Sequence, residues 1–182
     1  SGKDYYIEFH EEAYSVRISI NPEYKTGLLR FSYSSLTTPY SVYDYDTQDF
    51  KRQLLKRQEV VGGYNPEEYF TERLFVKAED GARVPLTLVY RKDLKKPEGN
   101  PVLLYGYGSY GTSVDPNFSS VRLSLLDRGF IFAIAHIRGG EEWGRKWYEQ
   151  GKLLNKRNTF TDFIDCGKYL KEHGYAEPGK LF

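Results

Sequence analysis

Apolar and polar residues alternate along the first third of the chain, then give way to short unbroken apolar runs. Tyr14–Ile20 sets Tyr14, Val16, Ile18 and Ile20 on one side and stops at Asn21-Pro22. Leu28–Tyr33 follows, broken by Ser34-Ser35-Leu36-Thr37-Thr38-Pro39. Tyr40–Tyr45 alternates again and ends at Asp46-Thr47-Gln48-Asp49, and Arg52–Val60 carries a mixed pattern. A period of two between turn signals predicts strands of an antiparallel sheet, and a set of this size is one blade of a β-propeller. One blade cannot bury both of its faces, so residues 1–61 are expected to belong to a larger array.

The turn-rich Val61-Gly62-Gly63-Tyr64-Asn65-Pro66 marks a domain boundary, with residues 62–182 as a second unit. There, Tyr69–Ala78 and Val84–Tyr90 flank Glu79-Asp80-Gly81-Ala82-Arg83, a hairpin signal. The apolar run Pro101–Leu104, the helix-competent segment Pro116–Leu126 and the apolar run Gly129–Ile137 predict a βαβ unit. Asn158–His173 repeats apolar residues near a 3.6 period (Phe160, Phe163, Ile164, Gly167, Tyr169, Leu170), which predicts an amphipathic helix ending at Gly174. Leu181-Phe182 opens another apolar run. The fold class is therefore mixed: antiparallel β, then α/β.

Composition narrows the function. A net charge of +1 supplies no attraction to nucleic acid or anionic lipid. The densest basic group, Lys51, Arg52, Lys56 and Arg57, reads as a solvated face. Cys166 is the single cysteine, which removes disulfides and thiolate metal clusters and suits a reducing compartment. No apolar run approaches the ~20 residues of a membrane span, and Ser1-Gly2-Lys3-Asp4 lacks a signal-peptide pattern.

Candidate chemistry gathers in Leu104-Tyr105-Gly106-Tyr107-Gly108-Ser109-Tyr110-Gly111 and Arg138-Gly139-Gly140-Glu141-Glu142. Both follow apolar strands of the βαβ unit, where α/β proteins place ligand loops. Ser109 is not a nucleophile elbow, because Tyr107 stands where that motif needs glycine. Tyr107 is either a packed aromatic or a hydroxyl donor to a developing oxyanion. Arg138, Glu141 and Glu142 either bind a charged substrate group or form a glycine-enabled turn with solvated charges. His136 lies on an apolar strand and reads as a core histidine. His10 and His173 lack partners at metal spacing, so no metal is expected. Cys166 reads as packing.

These blocks resemble the prolyl oligopeptidase family of serine peptidases. The resemblance rests on Tyr33-Ser34-Ser35-Leu36-Thr37-Thr38-Pro39, Asp80-Gly81-Ala82-Arg83-Val84-Pro85 and Leu104–Gly111. It continues in Leu125-Leu126-Asp127-Arg128-Gly129, Ala135-His136-Ile137-Arg138-Gly139-Gly140, Trp147-Tyr148-Glu149, Gly151–Lys156 and Asn158–Phe163. Ser109-Tyr110 and Asn158-Thr159-Phe160-Thr161 are closer to the oligopeptidase B branch than to the proline-specific one. Glu141 stands where the family usually has a third glycine.

The resemblance implies a β-propeller capping an α/β-hydrolase domain, no cofactor, and a cytoplasmic endopeptidase acting on short peptides after Arg or Lys. It implies Tyr107 as an oxyanion-hole donor, which favours the functional reading of that residue. It also implies that the Ser, Asp and His of the triad, and the acidic residues that bind basic side chains, lie beyond Phe182. The 182-residue polypeptide alone is then expected to be inert. A proline-specific peptidase, or a non-catalytic scaffold whose open sheet edge pairs with another chain, are the alternatives.

Overall fold

Two sheets carry the chain in the computed structural model. It describes residues 4–182, so most of the Ser1–Asp4 stretch lies outside the described residues. The first sheet is antiparallel, in the order β1 (Tyr14–Ile18), β2 (Leu28–Ser35), β3 (Ser41–Asp46), β4 (Lys51–Arg57). Phe31, Tyr33 and Tyr45 are buried on one side, with Phe9 stacked on Tyr33 at 5.0 Å. β4 is exposed along its whole length. β1 stops short of the expected Ile20 because the Asn21 side chain takes the Arg30 N–H (2.7 Å) and donates to the Arg30 carbonyl (2.9 Å). The Ser-Ser-Leu-Thr-Thr break is a cage: Tyr33, Ser35, Thr37 and Thr38 all donate hydroxyl protons to the Glu11 carboxylate, at 2.5–2.8 Å.

The second sheet runs β5 (Tyr69–Lys77), β6 (Arg83–Arg91), β8 (Ile131–Ala135), β7 (Asn100–Tyr105), β9 (Ala176–Leu181). β5, β6 and β8 pair antiparallel, whereas β8, β7 and β9 are parallel. Alternation along β8 serves two cores. Ile131, Ala133 and Ala135 join Leu86, Val102, Cys166 and Leu170, while Phe132 and Ile134 join Val89, Leu123 and Leu126. Both faces are covered, which is why β8 reads as unbroken apolar sequence.

Three helices follow from the same stretch: α1 (Ser120–Leu126), α2 (Arg145–Glu149) and α3 (Arg157–Glu172). α1 starts later than Pro116 because Ser119 caps it, accepting from the Arg122 N–H. The residues before it form no regular element and tie the two sheets together: Arg17 pairs with Asp115 at 2.6 Å, and Ser34 Oγ accepts from the Phe118 N–H at 3.0 Å. α3 has the expected extent but a different buried face. Phe160 and Ile164 are 60% and 54% exposed, while Thr159, Asp162, Cys166 and Leu170 are buried. β9 begins at Ala176, well before Leu181, and admits Pro178 and Gly179 because it is an edge strand. No helix among the described residues is long and apolar enough to cross a membrane.

Candidate active site

The loops after β7 and β8 meet at the carboxyl end of the parallel strands, where α3 begins. Their approach is set by missing side chains. A Cβ on Gly139 would lie 2.1 Å from the Gly108 carbonyl oxygen, and one on Gly151 would lie 2.2 Å from the Gly139 nitrogen. Only glycine lets three backbone segments come this close. The Gly111 N–H then donates to the Gly139 carbonyl at 2.9 Å, so the tyrosine–glycine loop is sewn to the Arg-Gly-Gly loop.

Arg138 is the buried anchor beneath them. Its backbone N–H and Nε both donate to Asp162 Oδ2 (3.0 and 2.9 Å), and a terminal nitrogen donates to Asp162 Oδ1 at 2.6 Å. The other terminal nitrogen reaches Asp80 Oδ2 at 2.6 Å. Burial by itself lowers the guanidinium pKa, but these bonds outweigh it and raise the value overall. The same bond holds the Asp80 carboxyl below its ordinary range. The Arg138 side chain is only 5% exposed, so its charge is directed inward, to the β5–β6 turn and α3. Thr159 Oγ1 closes the joint by donating to the Arg138 carbonyl at 2.7 Å.

Tyr107 stands apart from this network, 45% exposed on the loop after β7. The side-chain bonds that fix its loop come from Lys156, whose Nζ donates to the Gly108 carbonyl (2.5 Å) and to Ser109 Oγ (2.7 Å). Thus Ser109 is a hydrogen-bond partner of Lys156. Glu141 points outward toward Arg145 at 3.5 Å. Glu142 is turned in: its Oε1 accepts from the Val114 N–H at 2.9 Å and lies 3.6 Å from His136 Nδ1. His136 is buried, with Nε2 on Thr87 Oγ1 at 2.8 Å. His136 Nδ1 and Glu142 Oε2 are buried without a hydrogen-bond partner. The structure therefore brings Tyr107, Arg138, Glu141 and Glu142 to one end of the sheet but gives them different surroundings. Burial pushes the Cys166 thiol up, away from thiolate chemistry. Among the described residues no cluster of His, Cys, Asp or Glu could hold a metal ion.

Sequence reasoning did not single out Lys156, Asp162, Thr159 or the short α2. The one available signal was polar residues at positions 159 and 162 of an otherwise amphipathic helix, one turn apart and opposite an arginine.

Residues 116–182 match the family described as the prolyl oligopeptidase family. Across 181 residues the chain is 53% identical to dipeptidyl aminopeptidase BI of Pseudoxanthomonas mexicana, covering 99% of this chain and 25% of that protein. The chain belongs to the prolyl oligopeptidase family. Protease 2 of Moraxella lacunata is 40% identical over 96% of this chain and 25% of its own length. The solved structure of oligopeptidase B from Leishmania major superposes with a TM-score of 0.88 at 46% identity, covering 96% of this chain and 25% of that one. This prolyl oligopeptidase family chain thus spans about a quarter of the length of the relatives it matches.

Proposed function

We propose that the chain is part of a serine-type endopeptidase that hydrolyses short peptides after Arg or Lys in the cytoplasm. Residues 1–61 are read as part of a β-propeller and residues 62–182 as the first part of an α/β-hydrolase domain. The observation that carries the reading is Tyr107: a half-exposed phenol on a loop pinned at the Gly108 carbonyl and the Gly111 N–H. A donor carried on a loop whose backbone is fixed suits a developing oxyanion, because the smaller the reorganisation as charge appears, the larger the stabilisation. A serine supplied outside these residues would attack the scissile carbonyl, and Tyr107 would donate to the oxygen as it becomes negative. A single donor of this kind contributes about 2.7–4 kcal/mol to the barrier. Arg138 then acts by positioning the loop, and Glu141, which faces outward, remains the candidate for contact with a basic side chain, whereas the inward-turned Glu142 is read as holding the loop at Val114.

The likeness to oligopeptidase B supports cleavage after basic residues. The higher identity to dipeptidyl aminopeptidase BI favours a second reading, removal of dipeptides from the amino end. A proline-specific peptidase and a non-catalytic scaffold are the remaining alternatives.

The test compares the 182-residue chain with the product of its complete reading frame. Both meet a fluorophosphonate probe and fluorogenic peptides with Arg, or Gly-Pro, before the fluorophore, with and without a blocked amino terminus. The expected result is labelling and turnover of the blocked Arg peptide by the complete product, and neither by the chain alone. Turnover only of unblocked peptides would establish the dipeptidyl-peptidase reading, and preference for Gly-Pro the proline-specific one. Absence of labelling in the complete product would overturn the assignment.

A further inference from the structure

Beside the tyrosine–glycine loop lies a pocket of about 320 Å³, lined by Ser109, Tyr148, Lys152, Lys156 and the backbones of Gly139 and Gly151. Its lining includes two cations and no carboxylate. Lys152 has Glu149 at 3.8 Å, the long limit of an ion pair, on the exposed side. Lys156 has no carboxylate partner among the described residues: its bonds go to a carbonyl and a hydroxyl, and burial depresses its pKa. An ammonium carries three donors, so one N–H of Lys156 remains. The position is also electrostatically unfavourable. Lys156 is the N-cap of α3, a helix of 16 residues with no acidic side chain in its first turn. A cation there sits at the positive end of the helix dipole, where an anion is the favoured species. An internally bonded, partly desolvated charge of this kind is poised to receive a negative group.

We propose that this pocket binds a peptide carboxylate, with Lys156 as its principal contact and Lys152 and the Ser109 hydroxyl as supporting ones. Ser109 is two residues from Tyr107, so their Cα atoms lie within about 7 Å. The inference rests on the peptidase reading for its ligand class: a cationic pocket on the same loop as the oxyanion donor takes its carboxylate from the bound peptide. The repulsion between two lysines and a basic side chain assigns the pocket to a part of the substrate other than its Arg or Lys. The carboxylate has two sources, the peptide's free carboxyl end or an acidic side chain.

Amide NMR titration of the 182-residue chain tests this without requiring catalysis, and so separates its failure from that of the peptidase reading. The probes are N-acetyl-Ala-Ala as the free acid, the same dipeptide as its amide, and N-acetyl-Ala-Glu amide. The expected result is that the free acid shifts the Ser109, Gly139 and Gly151 signals and binds at least about tenfold more tightly than the amide. Shifts with the Glu-containing amide as well identify the shared carboxylate chemistry; shifts with the free acid alone identify the carboxyl end. K152M, which leaves the bonds to Gly108 and Ser109 intact, weakens binding by about threefold or more, and K156M abolishes the difference between acid and amide. Equal binding of acid and amide, or no response from the folded chain to either acid, overturns the proposal. So does unchanged affinity in K152M together with K156M.

Discussion

Asp162 grips Arg138 at both its backbone and its side chain: one carboxylate oxygen takes the backbone N–H at 3.0 Å and Nε at 2.9 Å, and the other takes a terminal nitrogen at 2.6 Å. Both side chains are buried, Asp162 completely. Removing the carboxylate leaves a guanidinium in the interior with only Asp80 to answer it. Asp162→Ala is expected to cost about 3–5 kcal/mol, the range for breaking a buried pair from one side. Urea unfolding of the chain measures it. A loss below 1 kcal/mol would show that water reaches the Arg138 side chain, contrary to its burial.

The glycine contacts make a sharper, paired forecast. Gly151→Ala drives a methyl into the Gly139 nitrogen, whereas Gly144→Ala meets nothing within 4 Å and suffers only from its positive φ of 78°. Gly144→Ala should lose about 1–3 kcal/mol of stability, the cost of a backbone region (φ 78°, ψ −170°) that is essentially glycine's alone. Gly151→Ala should lose more, and its Gly111 and Ser109 amide signals should move as the two loops part. Equal losses, with those signals in place, would refute the close approach.

Acid should loosen the first sheet through Glu11. Its carboxylate is partly desolvated, which raises its pKa, but four hydroxyl donors together bring the net value below the ordinary 4.5. A carboxyl depressed in the folded state stabilises it fully above that ordinary value, and the contribution fades as pH falls through the folded value. Glu11→Gln removes the charge while keeping the shape, at a cost of about 1–3 kcal/mol near neutrality. The difference between the two proteins should shrink below pH 4.5, read from thermal unfolding across a pH series. A constant gap would rule out the ionised carboxylate as the cause.

Tyr107→Phe separates chemistry from architecture. The ring is half exposed, so loss of its hydroxyl should leave unfolding within about 0.5 kcal/mol of the parent. In the complete reading-frame product the same change should lower turnover by about 10²–10³-fold with little change in peptide affinity. A proportionate loss of affinity instead would make Tyr107 a binding residue.

Much of the architecture is visible in the letters wherever one physical cause dominates. β8 needs both faces apolar and reads so; the β5–β6 hairpin needs Asp80-Gly81 and has it, with φ of 87° at the glycine. α3 shows where such reading stops. Its period is legible, but periodicity does not say which stripe faces inward when a buried cation lies opposite. Arg138 draws Asp162 and Thr159 inside and leaves Phe160 and Ile164 outside. The same limit hid Lys156, whose meaning depends on a carbonyl 48 residues away. Tyr107, Arg138, Glu141 and Glu142 were found as a group because loops after parallel strands collect ligands. Their separate roles come from burial, which single residues do not announce.

The Gly108–Gly139–Gly151 contact also dictates an order of assembly. Its three segments come from different parts of the chain, and the Lys156 bond to Gly108 closes a separation of 48 residues. Such closures are entropically costly until the elements between them have docked. β7, β8 and α3 are therefore expected to dock before the tyrosine–glycine loop acquires its shape. On this expectation the loop that presents Tyr107 is completed last, and a chain that has lost its α3 anchor would have no place to hold a phenol.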